Sequence, residues 1–350
     1  MQDALSVETS IVPVIKSQVF QGVNVPWEVC GYREDYATAC TAGGFFDLPH
    51  WSIIEIRGID AADYLQRMST VDIRKLAEGS VAHGAFLTGK GTVIVLGSLW
   101  RKSEDRFLFV CPAPVAARAA EHLEQFHFAE RLTIQRLDND LMFGLWGDGP
   151  RTRLALDEAP TPLRVASGGL DSVPFQWWRD DAPAGLTWVY ASRADFSRLV
   201  DSFLKRAVPL LGQHVLEFFR ISNGVPQSGI ELTEKDIVLE GSFEAAVARN
   251  KGCYPGQEVV ERIFTYGSVN RRIQKIELQS DAWPGVPAIV RGPDGAEIGE
   301  LRSLVEYPDR TGVALGLVML RKSFWGETKP WSYQDLETGK TINARLLPHI

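Results

Sequence analysis

Lys251-Gly252-Cys253-Tyr254-Pro255-Gly256-Gln257-Glu258 is the stretch from which the rest of the chain is best read. Pro255-Gly256 breaks the backbone just before Gln257, Glu258, Val259, Val260, Glu261, Arg262 and Ile263, a run of helix formers with acidic residues in its first turn. Cys253 is therefore expected just ahead of a helix N-terminus, where unpaired N–H groups favour a thiolate. Lys251, two residues away, would add a cation. By position alone an isolated cysteine is more often a small buried hydrophobe. The surroundings of the octapeptide decide between the two.

On its N-terminal side, alternation and helical spacing predict an α+β unit with a strand over 51–57, a helix over 60–68 and strands near 85–87, 92–100 and 106–111. A helix over 114–126 and a strand over 132–137 complete it. Asp60 is the acidic N-cap of the first helix, and Pro112 and Pro114 mark the start of the second. A second α+β stretch has strands over 142–146, 173–179 and 187–190 and helices over 195–207 and 215–222. The Pro- and Gly-containing segment 158–169 reads as a surface loop. From 271 the pattern changes to short runs over 272–279, 288–291, 298–306, 314–320 and 341–346, parted by Pro-Gly and Asp-Gly turns, as in a small β-barrel or sandwich.

A chain of 350 residues, 45% hydrophobic and with ten tryptophans, can bury two or three cores. Its net charge of −7 offers no footprint for phosphate backbones or anionic lipid, so neither nucleic acid nor a membrane is an expected direct partner. Four cysteines without a CxxC pair suit a reducing compartment, and Met1-Gln2-Asp3-Ala4-Leu5 lacks the features of a secretory signal; a cytoplasmic protein is expected.

Three patterns look functional and have plainer explanations. Gly84-Ala85-Phe86-Leu87-Thr88-Gly89-Lys90-Gly91 is one residue short of a phosphate-binding P-loop, but Gly91 has no hydroxyl for magnesium and Thr92-Val93-Ile94-Val95 is strand-like, so a hairpin turn is predicted. His122 and His127, five residues apart, lie on different helical faces, and no metal site is expected. Asp138 and Asp140 flank Asn139 as a turn would.

The octapeptide matches the signature of the YgfZ-type folate-binding proteins, relatives of the aminomethyltransferase of the glycine cleavage system, at every fixed position. The resemblance extends through Gly44-Phe45-Phe46-Asp47-Leu48, Gly58-Ile59-Asp60-Ala61, Asp72-Ile73, Arg220-Ile221-Ser222-Asn223-Gly224-Val225-Pro226 and Gly267-Ser268-Val269-Asn270-Arg271-Arg272. It implies an α+β, three-domain aminomethyltransferase-like fold. Residues 1–50 and 139–270 would form a folate-binding α+β domain, 51–138 a second α+β domain and 271–350 a C-terminal β-barrel.

It also implies a tetrahydrofolate cofactor and a role in iron-sulfur cluster assembly or repair, with dependent effects on tRNA modification and iron-sulfur proteins as clients. Cys253 would be the functional thiol and Lys251 would tune it. Gln257 and Glu258 would fix local hydrogen bonds, and Arg220, Tyr254 and Arg271 would join the cofactor site. Arg271, Arg272 and Lys275 are either a solvated strand edge or a receptor for the folate tail. Trp27, Trp177 and Trp178 can stack on a pterin or fill cores.

Two departures matter. The aminomethyltransferases carry a catalytic aspartate after the hairpin glycine, whereas Gly89-Lys90-Gly91-Thr92-Val93-Ile94-Val95-Leu96-Gly97 has no acid. Without it, help to the folate nitrogen is missing and glycine cleavage activity is not expected. Ser222 stands where those enzymes have a pterin-binding glutamate. The rival functions are a folate-dependent one-carbon transferase and a scaffold that has lost its ligand.

Overall fold

A computed structural model describes residues 12–156, 161–181, 185–327 and 329–348. The chain runs β1 (Lys16–Phe20), β2 (Val23–Glu28), α1 (Tyr32–Thr41), β3 (Gly44–Asp47), β4 (Trp51–Arg57), α2 (Ala61–Met68), β5 (Ser80–Leu87), β6 (Val93–Arg101), β7 (Arg106–Pro112), α3 (Ala113–Gln125) and β8 (Thr133–Arg136). It continues through β9 (Asp140–Trp146), α4 (Asp148–Arg153), β10 (Ala166–Leu170), β11 (Val173–Arg179), β12 (Thr187–Ser192), α5 (Phe196–Lys205), α6 (Gln213–Ser222) and α7 (Gln257–Tyr266). The last part is all strand: β13 (Arg271–Gln279), β14 (Ala288–Arg291), β15 (Glu297–Glu306), β16 (Val313–Arg321), β17 (Trp331–Gln334) and β18 (Thr341–Leu346).

Three large antiparallel sheets result, ordered β5-β6-β7-β4-β8, β10-β11-β12-β9-β3 and β14-β15-β16-β13-β18-β17. The first two owe their place to strict alternation. On β7, Phe107, Phe109 and Cys111 enter a core with Tyr64, Leu65 and Leu123 of α2 and α3, while Leu108 and Val110 face the centre of the molecule. On β9, Leu141, Phe143 and Leu145 pack on Leu199 and Phe203 of α5, and Met142 faces the centre. The third sheet is barrel-like and nearly closed. Its interior holds Ile276, Leu301, Val318 and Ile342, and the Trp331 indole N–H of one edge strand donates to the Arg291 carbonyl of the other at 2.7 Å. A central core with Trp100, Trp178, Trp188, Phe218 and Leu317 joins all three sheets. Among the described residues no helix is long and apolar enough to cross a membrane.

Several elements escape the sequence reading, β3 and α4 among them. β1 and β2 form a hairpin whose first strand is mostly exposed. α1 buries only Asp35 and Ala39, too few to mark a helical face. β10, Ala-Ser-Gly-Gly-Leu, replaces the end of the expected 158–169 loop and is held by its ladder to β11; 157–160 lie outside the described residues. β17 is a four-residue edge strand. The sequence-based expectation for Met1–Leu5 also falls outside them.

The segment 223–241, mostly irregular, is fixed by buried carboxylates. Glu231 takes both terminal nitrogens of Arg220, at 2.9 and 3.0 Å, and the Gln227 N–H at 2.8 Å. Asp236, with no exposed surface, accepts from Arg302 of β15 at 2.6 Å, Arg271 of β13 at 2.9 Å and both the N–H and hydroxyl of Thr233 at 2.8 Å. Glu240 takes a second bond from Arg271 at 2.9 Å. The same segment pairs with the first half of β6: Val93 N–H donates to the Asp236 carbonyl at 2.9 Å, and Leu96 N–H to the Ser228 hydroxyl at 3.1 Å. Asp236→Ala leaves two arginines facing a lost partner, so a stability loss of about 3–5 kcal/mol is expected in chemical unfolding; a loss below about 1 kcal/mol would rule out this role.

Candidate functional site

The 251–256 segment is a tight loop ahead of α7. Gly256 adopts φ +79°, and a Cβ there would sit 2.6 Å from both Gly91 Cα and Thr88 O. The β5–β6 turn therefore packs backbone to backbone on the loop, which only glycine permits. That turn is a hairpin, closed by Thr88 N–H to Thr92 O at 2.9 Å, and not a phosphate cradle. Gln257 N–H reaches back to Tyr254 O at 3.2 Å, and Val260 N–H to Gly256 O at 3.2 Å, starting the helix.

Cys253 is exposed on this loop. Lys251 does not serve it as expected. Its side chain is buried, and the ammonium donates to the Gln66 carbonyl at 2.7 Å and to the Ser69 carbonyl. These lie at the C-terminal end of α2, whose last carbonyls need donors and whose dipole favours a cation. The Gln66 amide returns a bond to the Lys251 carbonyl at 2.6 Å, and its oxygen accepts Ile73 N–H at 2.7 Å. Lys251 is thus a cap that pins the loop to α2.

Tyr254 is buried beside Lys251, the ammonium 5.1 Å from its ring centre. Burial, then the Glu261 carboxylate, pushes its phenol up to about 12, and its buried hydroxyl lacks a hydrogen-bond partner among the described residues. Gln257 is half-buried and Glu258 exposed in the first turn of α7, where a carboxylate meets the positive helix end.

Arg220 and Arg271 differ from expectation. The Arg220 guanidinium lies between Glu217, at 2.8 Å, and Glu231, at 2.9 Å. Arg271 is engaged by Asp236 and Glu240. Neither presents a free fork to a ligand. Their neighbours are more available. Arg272 lies over the Trp325 ring at 4.2 Å, with an unpaired buried Nε. Lys275 donates to the Ser222 carbonyl at 3.1 Å, and burial lowers its pKa. Trp177 and Trp178 are core residues, 3% and 1% exposed. Trp27 stacks on His214, whose other neighbour is Tyr32, with ring centres 4.8 and 3.6 Å away. Residues 93–95 of the hairpin are buried and apolar, so no carboxylate is positioned there.

Sequence reasoning missed Glu231, Asp236, Glu240 and Arg302, which organise the junction. Acidic residues in an irregular stretch read as solvated. Only the unusual length of that stretch between α6 and α7 hinted at internal ties.

Burial pushes the Lys251 ammonium from 10.5 down to about 8. Between these values the unfolded chain binds more protons than the folded one, so this group's penalty is full below pH 8 and is relieved as pH rises toward 10.5. The stability of the wild type relative to Lys251→Met is expected to climb across that window, by at most roughly 1.4 kcal/mol per pH unit. A flat difference in paired denaturation curves would contradict the buried-ammonium assignment.

Comparison with known proteins agrees with this architecture. A chloroplastic protein of Arabidopsis thaliana whose name is that of a transferase is 24% identical over 81% of this chain, which spans 66% of that relative's length. The aminomethyltransferase of Halalkalibacterium halodurans is 23% identical over 88% of this chain and 87% of its own. The crystal structure of glycine cleavage system aminomethyltransferase T from Bartonella henselae superposes with a TM-score of 0.82 at 19% identity, covering 95% of this chain and 93% of that one. The family model described as the GCVT N-terminal domain matches residues 18–200, more than half of the chain, and the protein belongs to that family.

Proposed function

We propose that the chain binds a reduced folate and acts as a YgfZ-type accessory protein supporting iron-sulfur cluster assembly or repair. The observation that carries the reading is an exposed thiol, Cys253, on a loop fixed both to α2 and to a hairpin that has no acid. An aminomethyl transfer needs a carboxylate near the folate nitrogen, and buried Val93, Ile94 and Val95 occupy that stretch. What remains is a presented sulfur, suited to exchange or transient ligation.

The residues present fit a reduced folate in chemical kind. The Tyr254 hydroxyl is an unpaired buried donor, and Arg272 and Lys275 are cations with no carboxylate partner among the described residues. These groups would meet the pterin and the anionic tail, in place of Arg220 and Arg271. Folate, when bound, would supply one-carbon carrying capacity. The protein's own residues would orient it and keep the thiol exposed nearby. Membership in a family with aminomethyltransferase relatives supports a second reading, one-carbon transfer to a substrate other than the glycine cleavage intermediate.

Titration of the full chain with tetrahydrofolate should give saturable quenching of tryptophan fluorescence, weakened in Arg272→Ala. No quenching would remove the folate reading. Cys253→Ala, at an exposed position, should change stability by less than about 0.5 kcal/mol. It should keep folate binding and lose support of iron-sulfur enzyme activity in cells. Full support by the variant would place the function elsewhere than at the thiol.

A further inference from the structure

A second cluster of functional groups lies apart from the Cys253 loop, where the β5–β6 hairpin meets the end of β11. His83 Nε2 on β5 is 3.0 Å from Asp180 Oδ1 and 3.0 Å from Asp181 Oδ1. The three donor atoms all lie within 4.8 Å of one another. They come from sequence positions nearly a hundred residues apart and are brought together by two sheets.

The groups behind these donors orient them. Ser98, the cross-strand partner of His83, has its hydroxyl 3.1 Å from His83 Nδ1. The hydroxyl can accept a hydrogen bond from Nδ1–H, which leaves Nε2 with its lone pair to offer. The Trp188 indole N–H donates to Asp180 Oδ2 at 2.8 Å, turning Oδ1 toward His83. Asp180 N–H is also tied to the Leu186 carbonyl at 3.0 Å, which fixes the backbone at Asp180.

Two carboxylates converge on one imidazole nitrogen, an arrangement that a shared cation would satisfy as well as a protonated ring does. We propose that His83, Asp180 and Asp181 form a binding site for a divalent first-row transition ion, with remaining positions open to water. One nitrogen and two oxygens suit ions of the Mn2+ to Zn2+ class, and the imidazole disfavours Mg2+ and Ca2+, which prefer all-oxygen sites. The ion would clip β5 to the end of β11 and so join two of the three sheets. The proposal does not depend on folate binding or on Cys253.

Mn2+ is the probe, because the exposed thiols of Cys30, Cys40 and Cys253 would compete for Zn2+. Calorimetric titration of the full chain is expected to give one Mn2+ per chain, with Mg2+ binding more weakly. His83→Ala and Asp181→Asn should each weaken Mn2+ roughly tenfold or more, and Cys253→Ala should leave it unchanged. Bound Mn2+ should also raise the unfolding temperature of the wild type and not of the variants. If His83→Ala fails to fold by circular dichroism, Asp181→Asn decides alone, since its carboxylate is half-exposed. Absence of saturable Mn2+ binding by the wild type would overturn the proposal and leave a protonated His83 bridging two carboxylates. Binding undiminished in Asp181→Asn would overturn it equally.

Discussion

The pairing of the buried Glu231 and Asp236 carboxylates with arginines from three elements is the constraint on which the architecture turns. Arg220 comes from α6, Arg271 from β13 and Arg302 from β15, so one irregular segment between α6 and α7 is held to a helix and to two barrel strands. A charge buried this deeply is tolerated only with its partners in place, which makes the arrangement more a device for uniqueness than a source of net stability. Because the same segment accepts hydrogen bonds from β6, the position of the barrel relative to the hairpin is specified by polar groups within a packed apolar surround.

Lys251 extends the logic to the signature loop. Its ammonium would be expensive in an apolar interior, yet the C-terminal carbonyls of α2 lack helical donors, and each deficiency answers the other. Gln66 binds the loop and the chain after α2 at once. The motif lysine therefore acts on the loop's position and not directly on the sulfur, and Gly252 and Gly256, both at positive φ, let the chain turn sharply enough to leave Cys253 outside.

Much of the fold was legible because its strands obey alternation. β4, β11, β14 and β18 occupy the residues expected from pattern alone, and α2 begins after Asp60, although that carboxylate makes no cap hydrogen bond and binds Arg131 instead. The helix after Pro255-Gly256 begins at Gln257, where the chain-breaking pair put it. What escaped was structure whose stability is borrowed: a mostly exposed β1, a polar α1 and a Gly-rich β10 gain their form from neighbours. At the site, the octapeptide marked the loop, but direction could not be read. Lys251, Arg220 and Arg271 are cations near a motif in sequence, and only the fold reveals that carboxylates and carbonyls inside the chain already claim them.

The bare contact between Gly91 and Gly256 has a design consequence. Two main chains touching without side chains leave the seat of the thiol loop independent of what the flanking strand residues are. Side chains along the hairpin can thus be exchanged while the scaffold presenting the sulfur stays put, provided both glycines are kept. A fold with such a joint is a natural starting point for diverging activities on one frame.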